Sequence, residues 1–178
     1  MRAGALRPAA LDGLPEGQRV DLDVREDLRR GNEPFSRIMA AVAALVPGQV
    51  LVLRAPFEPA PLYRVLGQRG FAHWTESHAA DDWSVWIYPD RVGLDVRGLE
   101  PPAPLVRVLE TLDRLAPGQR LEVRHDRRPV FLYSQLEERG FVHETDAPEP
   151  GLVRIVIRRR EEATGSCPPA EARAELLR

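Results

Sequence analysis

Two short segments in the second half of the chain carry the residue types that could do chemistry. The first segment, LDVRGLE, contains Arg97 and Glu100, and the second segment, RHDRR, contains Arg124 and His125. Arginine side chains bind carboxylates and phosphates, and histidine transfers protons near neutral pH. The two segments therefore predict either an anion-binding site or an acid–base site.

The positions of these segments favour one shared cleft. Residues 94–97 end a predicted strand just before a helix that starts beside prolines, and residues 124–126 end the next strand. Strand ends beside a helix start are a usual ligand site in α/β sheets, and the unpaired N–H groups of the helix start attract anions. We expect the following residues to bind a small anionic ligand or a peptide carboxylate: Arg97, Glu100, Arg124, His125 and Tyr133.

Each of these residues also has a structural interpretation. Arg97 and Glu100 could pair with each other or with a neighbouring aspartate. His125 could be an exposed loop histidine, and Tyr133 could be a core residue, because Tyr63 occupies the equivalent position. A second functional hypothesis is an accessory enzyme in redox or sulfur metabolism, with Arg97 as charge stabiliser and Glu100 and His125 as acid or base. It requires Glu100 and His125 to reach one common ligand.

The remaining histidines do not have the spacing of a metal site. His73 and His143 follow two copies of the triplet RGF, while His78 lies in a loop with Asp81 and Asp82. A zinc site needs three or four converging ligands, so we expect no metal and interpret His73 and His143 as hydrogen-bonded structural residues. The chain shows no Ser-His-Asp order, HExxH motif or phosphate-cradling glycine loop, so no conventional hydrolase, kinase or cofactor site is predicted.

The elements that must position these residues occur twice. LDVR at 22–25 returns at 94–97, and from Pro34 onward the two halves align at a constant offset of 70 residues, with the triplets PGQ and RGF in both. One domain pattern is therefore repeated. We predict a flexible leader at 1–18, a first repeat at 19–90, a second repeat at 91–160 and a polar tail at 161–178.

The pattern within each repeat predicts strand, helix, strand, helix, strand, strand. Val20, Leu22 and Val24 alternate with aspartates, which is the period of a half-buried strand, and Pro47-Gly48 ends the first helix. The second repeat has the same signals. The predicted class is α/β, specifically an α+β two-layer sandwich, in which two tandem βαβαββ domains each place two helices on one face of a four-stranded mixed sheet.

The other face of the first sheet is predicted to be apolar and aromatic. If Leu51 and Leu53 point toward the helices, the opposite face carries Val50, Val52, Trp74, Trp86 and Tyr88, whereas the aligned face of the second repeat is mostly charged. Soluble monomers rarely expose such a patch. We expect it to contact a twin subunit in a homodimer, the second repeat or a protein partner. A one-residue shift in register would instead place the tryptophans in the core.

The segment LDVRGLEPPAPLVRVLETLDRLAPGQRLEV resembles the TusA/SirA-like sulfur carriers, in which a strand ends in Leu-Arg-x-Cys-Pro-x-Pro and opens the first helix. It is more similar still to a cysteine-less, uncharacterised branch that carries Arg-Gly-Leu-Glu-Pro-Pro. The resemblance covers about residues 92–159 and, more loosely, 20–89, and it implies that fold. The position of the sulfur-carrying cysteine is Pro101 here and Gly31 in the first repeat, so neither can hold a persulfide. The resemblance therefore implies a scaffold or partner of sulfur-transfer or respiratory proteins.

Composition argues against several other classes. The net charge is −2, and no lysine or arginine block is interleaved with aromatics, so we expect no nucleic-acid binding. There is no apolar stretch of membrane-spanning length, and Met1–Ala10 lacks the apolar core of a signal peptide. Cys167 is the single cysteine and lies in the tail, where we interpret it as a surface thiol. The sequence therefore predicts a cytoplasmic, non-catalytic binding or assembly module.

Overall fold

A computed structural model describes residues 7–160 as two successive units, preceded by a short 3-10 turn at Ala9–Leu11. The first unit contains β1 (Arg19–Asp23), α1 (Arg25–Arg29), α2 (Phe35–Ala43), β2 (Val50–Ala55), α3 (Ala60–Gln68), β3 (Phe71–Ala79) and β4 (Asp82–Pro89). The second unit contains β5 (Arg91–Asp95), α4 (Ala103–Asp113), β6 (Arg120–His125), α5 (Val130–Glu138), β7 (Phe141–Glu149) and β8 (Leu152–Arg159).

Each unit has one four-stranded mixed sheet. The strand orders are β1-β2-β4-β3 and β5-β6-β8-β7. The first two strands of each sheet run parallel, because a helix connects them, and the remaining pairs are antiparallel. The predicted fold class, two tandem α+β sandwiches with mixed sheets, is confirmed.

Prolines precede helices α2 to α5, as the sequence predicts, whereas the predicted Pro-Gly helix ends lie in the turns after α2 and α4. Helix α4 begins directly after Pro102 and carries a proline in its first turn, where the missing N–H has no intrahelical partner. The turns that follow α2 and α4 contain Gly48 and Gly118 with φ values of 86° and 75°. Only glycine adopts this left-handed conformation without a steric cost, so these residues direct the chain into β2 and β6, after helices that end earlier, at Ala43 and Asp113.

Alternate residues of the central strands enter different cores, which confirms the predicted register. Leu51, Leu53, Val85 and Ile87 are fully buried against α2 and α3. A corresponding core lies between the second sheet and α4 and α5. The residues between them in the sequence, such as Val52 and Trp86, belong to a separate cluster on the other face of the first sheet.

That separate cluster contains the residues of the predicted aromatic contact face. Val50, Val52, Trp86 and Tyr88 are between 1% and 7% exposed, and Trp74 packs against them partly buried. Leu11, which is 2% exposed, covers the cluster from the N-terminal side, and Ala116 of the second unit covers it from the other. Part of the segment predicted as a flexible leader therefore packs on the sheet. The folded state is stabilised because this packing removes apolar surface from water.

One element, α1, was not predicted. It arises from the segment by which the first repeat is longer than the second. Glu26 and Asp27 lie in its first turn, where carboxylates favour the helix dipole, and Arg30 Nε donates to Glu26 Oε1 at 2.9 Å. These local charges stabilise a single helical turn between β1 and α2.

Candidate functional site

The second unit contains an open cleft of about 460 Å³ at the carboxyl end of β6. It is lined by residues between 101 and 108, at the start of α4, and by residues between 125 and 132, from the β6–α5 loop and the first turn of α5. An equivalent cleft of about 290 Å³ lies in the first unit, lined by residues between 24 and 65. The repeat therefore builds the same kind of concavity twice.

Large apolar side chains line the second cleft and remain exposed. Val130 is 71% exposed and Phe131 is 84% exposed, although both are large hydrophobic residues. Pro101, Pro102 and Leu105 form part of the lining on the side of α4. The cleft therefore presents a continuous apolar surface to solvent.

Arginines distinguish the second cleft from the first. Arg127 and Arg128 line the second cleft, and neither side chain has an ion-pair partner between residues 7 and 160. The aligned residues of the first unit are Phe57 and Glu58. Arginine presents several N–H donors in a planar fork that matches a carboxylate. The second cleft thus combines an apolar wall with two available cations.

His125 is the titratable side chain that lies deepest in the cleft lining, with a relative exposure of 5%. Its Nδ1 lies 2.8 Å from Asp126 Oδ1 and 3.1 Å from the backbone N of Arg127. The first contact requires a proton on Nδ1, whereas the second requires a lone pair there, so a given tautomer makes only one of these hydrogen bonds. In either form the ring is held by its own loop.

Asp126 links this loop to the segment after β5. Desolvation opposes ionisation of its carboxyl, but the hydrogen bond from the backbone N–H of Gly98 and the proximity of His125 outweigh that effect, so the pKa of Asp126 is lowered. The Gly98 N to Asp126 Oδ2 distance is 3.4 Å. An ionised carboxylate therefore joins the ends of β5 and β6 beside the cleft.

The structure does not bring the five predicted ligand-binding residues together. Of these five, His125 lines the cleft, while Arg97 and Arg124 lie on the outer face of the sheet. Arg97 is bound by Asp95, with an Nη2 to Oδ2 distance of 2.7 Å. Glu100 is exposed outside the lining of the cleft.

Tyr133 packs on the core side of the second unit. Its ring stacks on His143 with a centroid distance of 4.3 Å, and its hydroxyl oxygen accepts a hydrogen bond from Thr145 Oγ1 at 3.3 Å. Tyr63 and His73 form the same stack in the first unit at 3.8 Å. Burial raises the pKa of Tyr63 and lowers the pKa of His73, so both rings are neutral at pH 7. The repeated stack has a structural role in both units.

The sequence reasoning missed Phe131 and the apolar lining around it. Leu132 and Leu136 point into the core from α5, so Phe131, one position earlier, falls outside the inward stripe of that helix. A phenylalanine on the polar side of an amphipathic helix is the signal that could have identified this surface. Arg127 and Arg128 follow directly after the predicted His125 and Asp126.

Metal-ligand clusters and membrane-spanning helices are both absent from the described range, residues 7–160. No group of three or more His, Cys, Asp or Glu side chains in this range is arranged to hold a metal ion. No helix in the same range combines the length and apolar character needed to cross a bilayer. His78 instead contacts Ser84, with an Nε2 to Oγ distance of 2.8 Å.

Comparison with known families identifies both units. The sequence model of a family described as "Uncharacterized conserved protein (DUF2249)" matches residues 21–89 and again residues 93–159. The two matches together cover more than half of the chain. No curated protein and no solved structure matches it.

Proposed function

This chain belongs to the DUF2249 family, with two copies of the family domain, and we propose that it is a non-catalytic binding module. The second-unit cleft is the observation that carries this proposal. Its volume of about 460 Å³ falls within the usual range for small-molecule sites. The ligand is an apolar molecule or peptide side chain that also carries a carboxylate or another anionic group.

The lining of the cleft supports this ligand chemistry. Phe131 and Val130 supply apolar surface that is exposed without a ligand, so covering it is favourable at about 25 cal/mol per Å². Arg127 and Arg128 supply two cations beside that surface. A ligand with both features satisfies the apolar wall and the cations together, whereas a purely apolar ligand leaves the arginines without a counter-charge.

The placement of the charged residues favours binding over the accessory-enzyme hypothesis. Acid–base catalysis requires its groups to reach one reacting ligand. His125 lines the cleft, but Glu100 does not, and Arg97 is engaged by Asp95 on the outer face of the sheet. The three residues named by that hypothesis therefore do not surround one common position.

We further propose that the domain is related to the TusA/SirA-like sulfur carriers. The βαβαββ order, to which the first unit adds only α1, and the motif Arg-Gly-Leu-Glu-Pro-Pro of the second unit support this relation. Pro101, at the position of the carrier cysteine, lines the cleft of the second unit. The place where a carrier would hold sulfur is here part of an apolar binding surface.

The proposal is tested with 8-anilinonaphthalene-1-sulfonate, a fluorescent probe that joins an apolar ring system to an anionic group. The full chain is titrated and compared with Phe131→Ser and with the double variant Arg127→Gln/Arg128→Gln. Each change is expected to weaken probe binding about tenfold, which corresponds to roughly 1.4 kcal/mol. Both changes affect exposed positions and leave the fold intact.

Phe57→Ser is the matched control, because Phe57 is an exposed aromatic residue at the aligned cleft of the first unit. It is expected to leave probe affinity unchanged. An equal loss in Phe57→Ser, or unchanged affinity in both second-unit variants, contradicts the proposal. Native mass spectrometry of the freshly purified chain adds a direct check for a retained ligand.

A further inference from the structure

The first unit contains a carboxylate that is shared between two arginines on the outer face of its sheet. Asp82, the first residue of β4, accepts from Arg25 Nη1 at 3.3 Å through Oδ1 and from Arg54 Nη2 at 2.7 Å through Oδ2. Each oxygen therefore has its own guanidinium. The side chain of Asp82 is 23% exposed, so this arrangement is only partly open to water.

The second unit repeats the arginines of this arrangement at the same register. Asp23 pairs with Arg54 across β1 and β2, and Asp95 pairs with Arg124 across β5 and β6. Hydrogen bonds from Arg25 lower the pKa of Asp23, and the charge of Arg54 adds a smaller effect; Arg97 and Arg124 act in the same order on Asp95. The strand register and the aspartate–arginine contacts of β1–β2 are thus repeated in β5–β6.

The atoms used by the equivalent arginines also agree. Arg25 binds Asp23 through Nε and Nη2 and keeps Nη1 for Asp82. Arg97 binds Asp95 through the same Nε and Nη2. Its Nη1 has no hydrogen-bond partner in the part of the chain that the structure describes, and neither does the guanidinium of Arg124.

The missing partner is the carboxylate itself. Leu152, the first residue of β8, stands where Asp82 stands in the first unit. In addition, Arg154 replaces Ser84 and lies directly opposite Arg124 in the antiparallel pair β6–β8. Like charges that face each other across strands destabilise the sheet, and Arg154 already uses Asp146 as its partner. An added negative charge would relieve this repulsion.

We propose that Arg97 and Arg124 bind a carboxylate of an acidic peptide segment, in the position that Asp82 fills in the first unit. Arg124 and His125 are successive residues of β6, so this site lies on the face of the sheet opposite to the cleft and does not depend on the function proposed for it. A single exposed ion pair contributes only about 0–1 kcal/mol, so a segment with several adjacent carboxylates fits better than a simple acid.

The test is a titration of the full chain with an acetylated and amidated hexaglutamate peptide, followed through the arginine Nε–Hε signals in NMR spectra. The signals of Arg97 and Arg124 are expected to shift, and the shifts are expected to disappear at about 1 M salt, where exposed charges are screened within about 3 Å. A hexaglutamine peptide should produce no shift. Acetate at the same carboxylate concentration is the second control. Equal shifts with acetate would overturn the proposal, because they would show that the arginines bind an adventitious ion only.

Two reciprocal variants test whether a carboxylate at this position blocks peptide binding. Leu152→Asp supplies the carboxylate from within the chain and is expected to weaken peptide binding at least tenfold. Asp82→Leu removes the internal carboxylate of the first unit and is expected to produce new peptide-dependent shifts at Arg25 and Arg54.

Unchanged peptide affinity in Leu152→Asp, or equal shifts at all exposed arginines of the wild type, would overturn the proposal. Arg124→Gln provides a third check, because it should abolish the shift at Arg97. The dye titration of the Phe131 variant does not depend on these peptide-dependent shifts. The proposal for the arginine site and the proposal for the cleft can therefore fail separately.

Discussion

At the scale of single residues, pairing decides which arginines can bind a ligand. Arg127 and Arg128 have no ion-pair partner within residues 7–160, whereas Arg97 is held by Asp95 through two of its nitrogens. A guanidinium held in this way keeps only its remaining N–H groups for another carboxylate. This difference separates the cations of the cleft from those of the outer face.

The pair between Arg97 and Asp95 makes a prediction about pH. The hydrogen bonds from Arg97 lower the pKa of Asp95 from 3.8 to about 2. Because the folded-state pKa lies below the unfolded value, the pair stabilises the folded chain above pH 3.8, and this contribution is lost as the pH falls toward 2. Arg97→Gln is expected to return the pKa of Asp95 toward 3.8, which carboxyl ¹³C NMR titration measures.

Arg128→Gln is the control for this titration, because Arg128 lies in the cleft lining and does not contribute to the shift of Asp95. It should leave the pKa of Asp95 unchanged. A pKa of Asp95 that stays near 2 in Arg97→Gln would show that another group causes the shift.

At the scale of elements, the segment before β1 acts as part of the first unit. Arg7 lies 4.7 Å from the centroid of the Trp86 ring and forms an ion pair with Glu76 at 2.7 Å. Leu11 is buried in the same cluster. The segment therefore covers an aromatic sheet face through the apolar side chains of Ala10, Leu11 and Leu14, a cation–π contact and a partly buried ion pair.

Leu11→Ala tests this cover. The substitution removes a buried side chain and is expected to lower the free energy of unfolding by about 2 kcal/mol, the lower end of the range for buried leucine. It should also increase the quenching of tryptophan fluorescence by acrylamide, because Trp86 loses its covering residue. Val46→Ala, at a position that is 55% exposed, is the control and should change neither quantity.

At the scale of the whole molecule, the turn before β6 joins the two units. Tyr88 donates from its hydroxyl to the carbonyl oxygen of Pro117 at 2.8 Å, and Gln119 Nε2 donates to the carbonyl oxygen of Pro89 at 2.8 Å. Arg120 forms an ion pair with Asp90 at 2.6 Å. These contacts place the turn of the second unit against the outer face of the first sheet, where Ala116 completes the apolar cluster.

Gly118→Ala and Gly48→Ala form a matched pair that measures this junction. Both glycines have positive φ, so alanine costs about 1 kcal/mol of backbone strain at either position. At Gly118 the added Cβ would lie 3.2 Å from Ala72 Cβ of the first unit, whereas at Gly48 it meets no atom within 4 Å. Gly118→Ala is expected to lower the free energy of unfolding, measured in urea, by about 1 kcal/mol more than Gly48→Ala does, because overpacking adds to the strain.

Two probes show whether the junction couples the units. Trp74, Trp83 and Trp86 all lie in the first unit, so tryptophan fluorescence follows that unit, while circular dichroism follows both. Coupled units unfold with one midpoint by both probes. Equal losses in the two glycine variants would show that the contact with Ala72 does not stabilise the junction.

The sequence by itself determined the repeat, the order of the elements that both units share and the register of the strands. These properties follow from local patterns: the alternation at Val20 to Val24, the inward stripe of α5 at Leu132 and Leu136, and the glycines that end helices. Backbone conformation and the inward or outward direction of a side chain depend mainly on near neighbours in the chain, so the pattern contains the information.

Only the tertiary structure decided which side chains meet. It placed Leu11 and Ala116 over Trp86 and Tyr88, and it separated His125 from Arg124 although they are adjacent in the sequence. It also brought Asp82 to Arg25 and Arg54, a contact that no local pattern in the sequence indicates. Such contacts join residues far apart in the chain and depend on the rotamers of long side chains, so their partners are fixed by packing in three dimensions rather than by any local pattern.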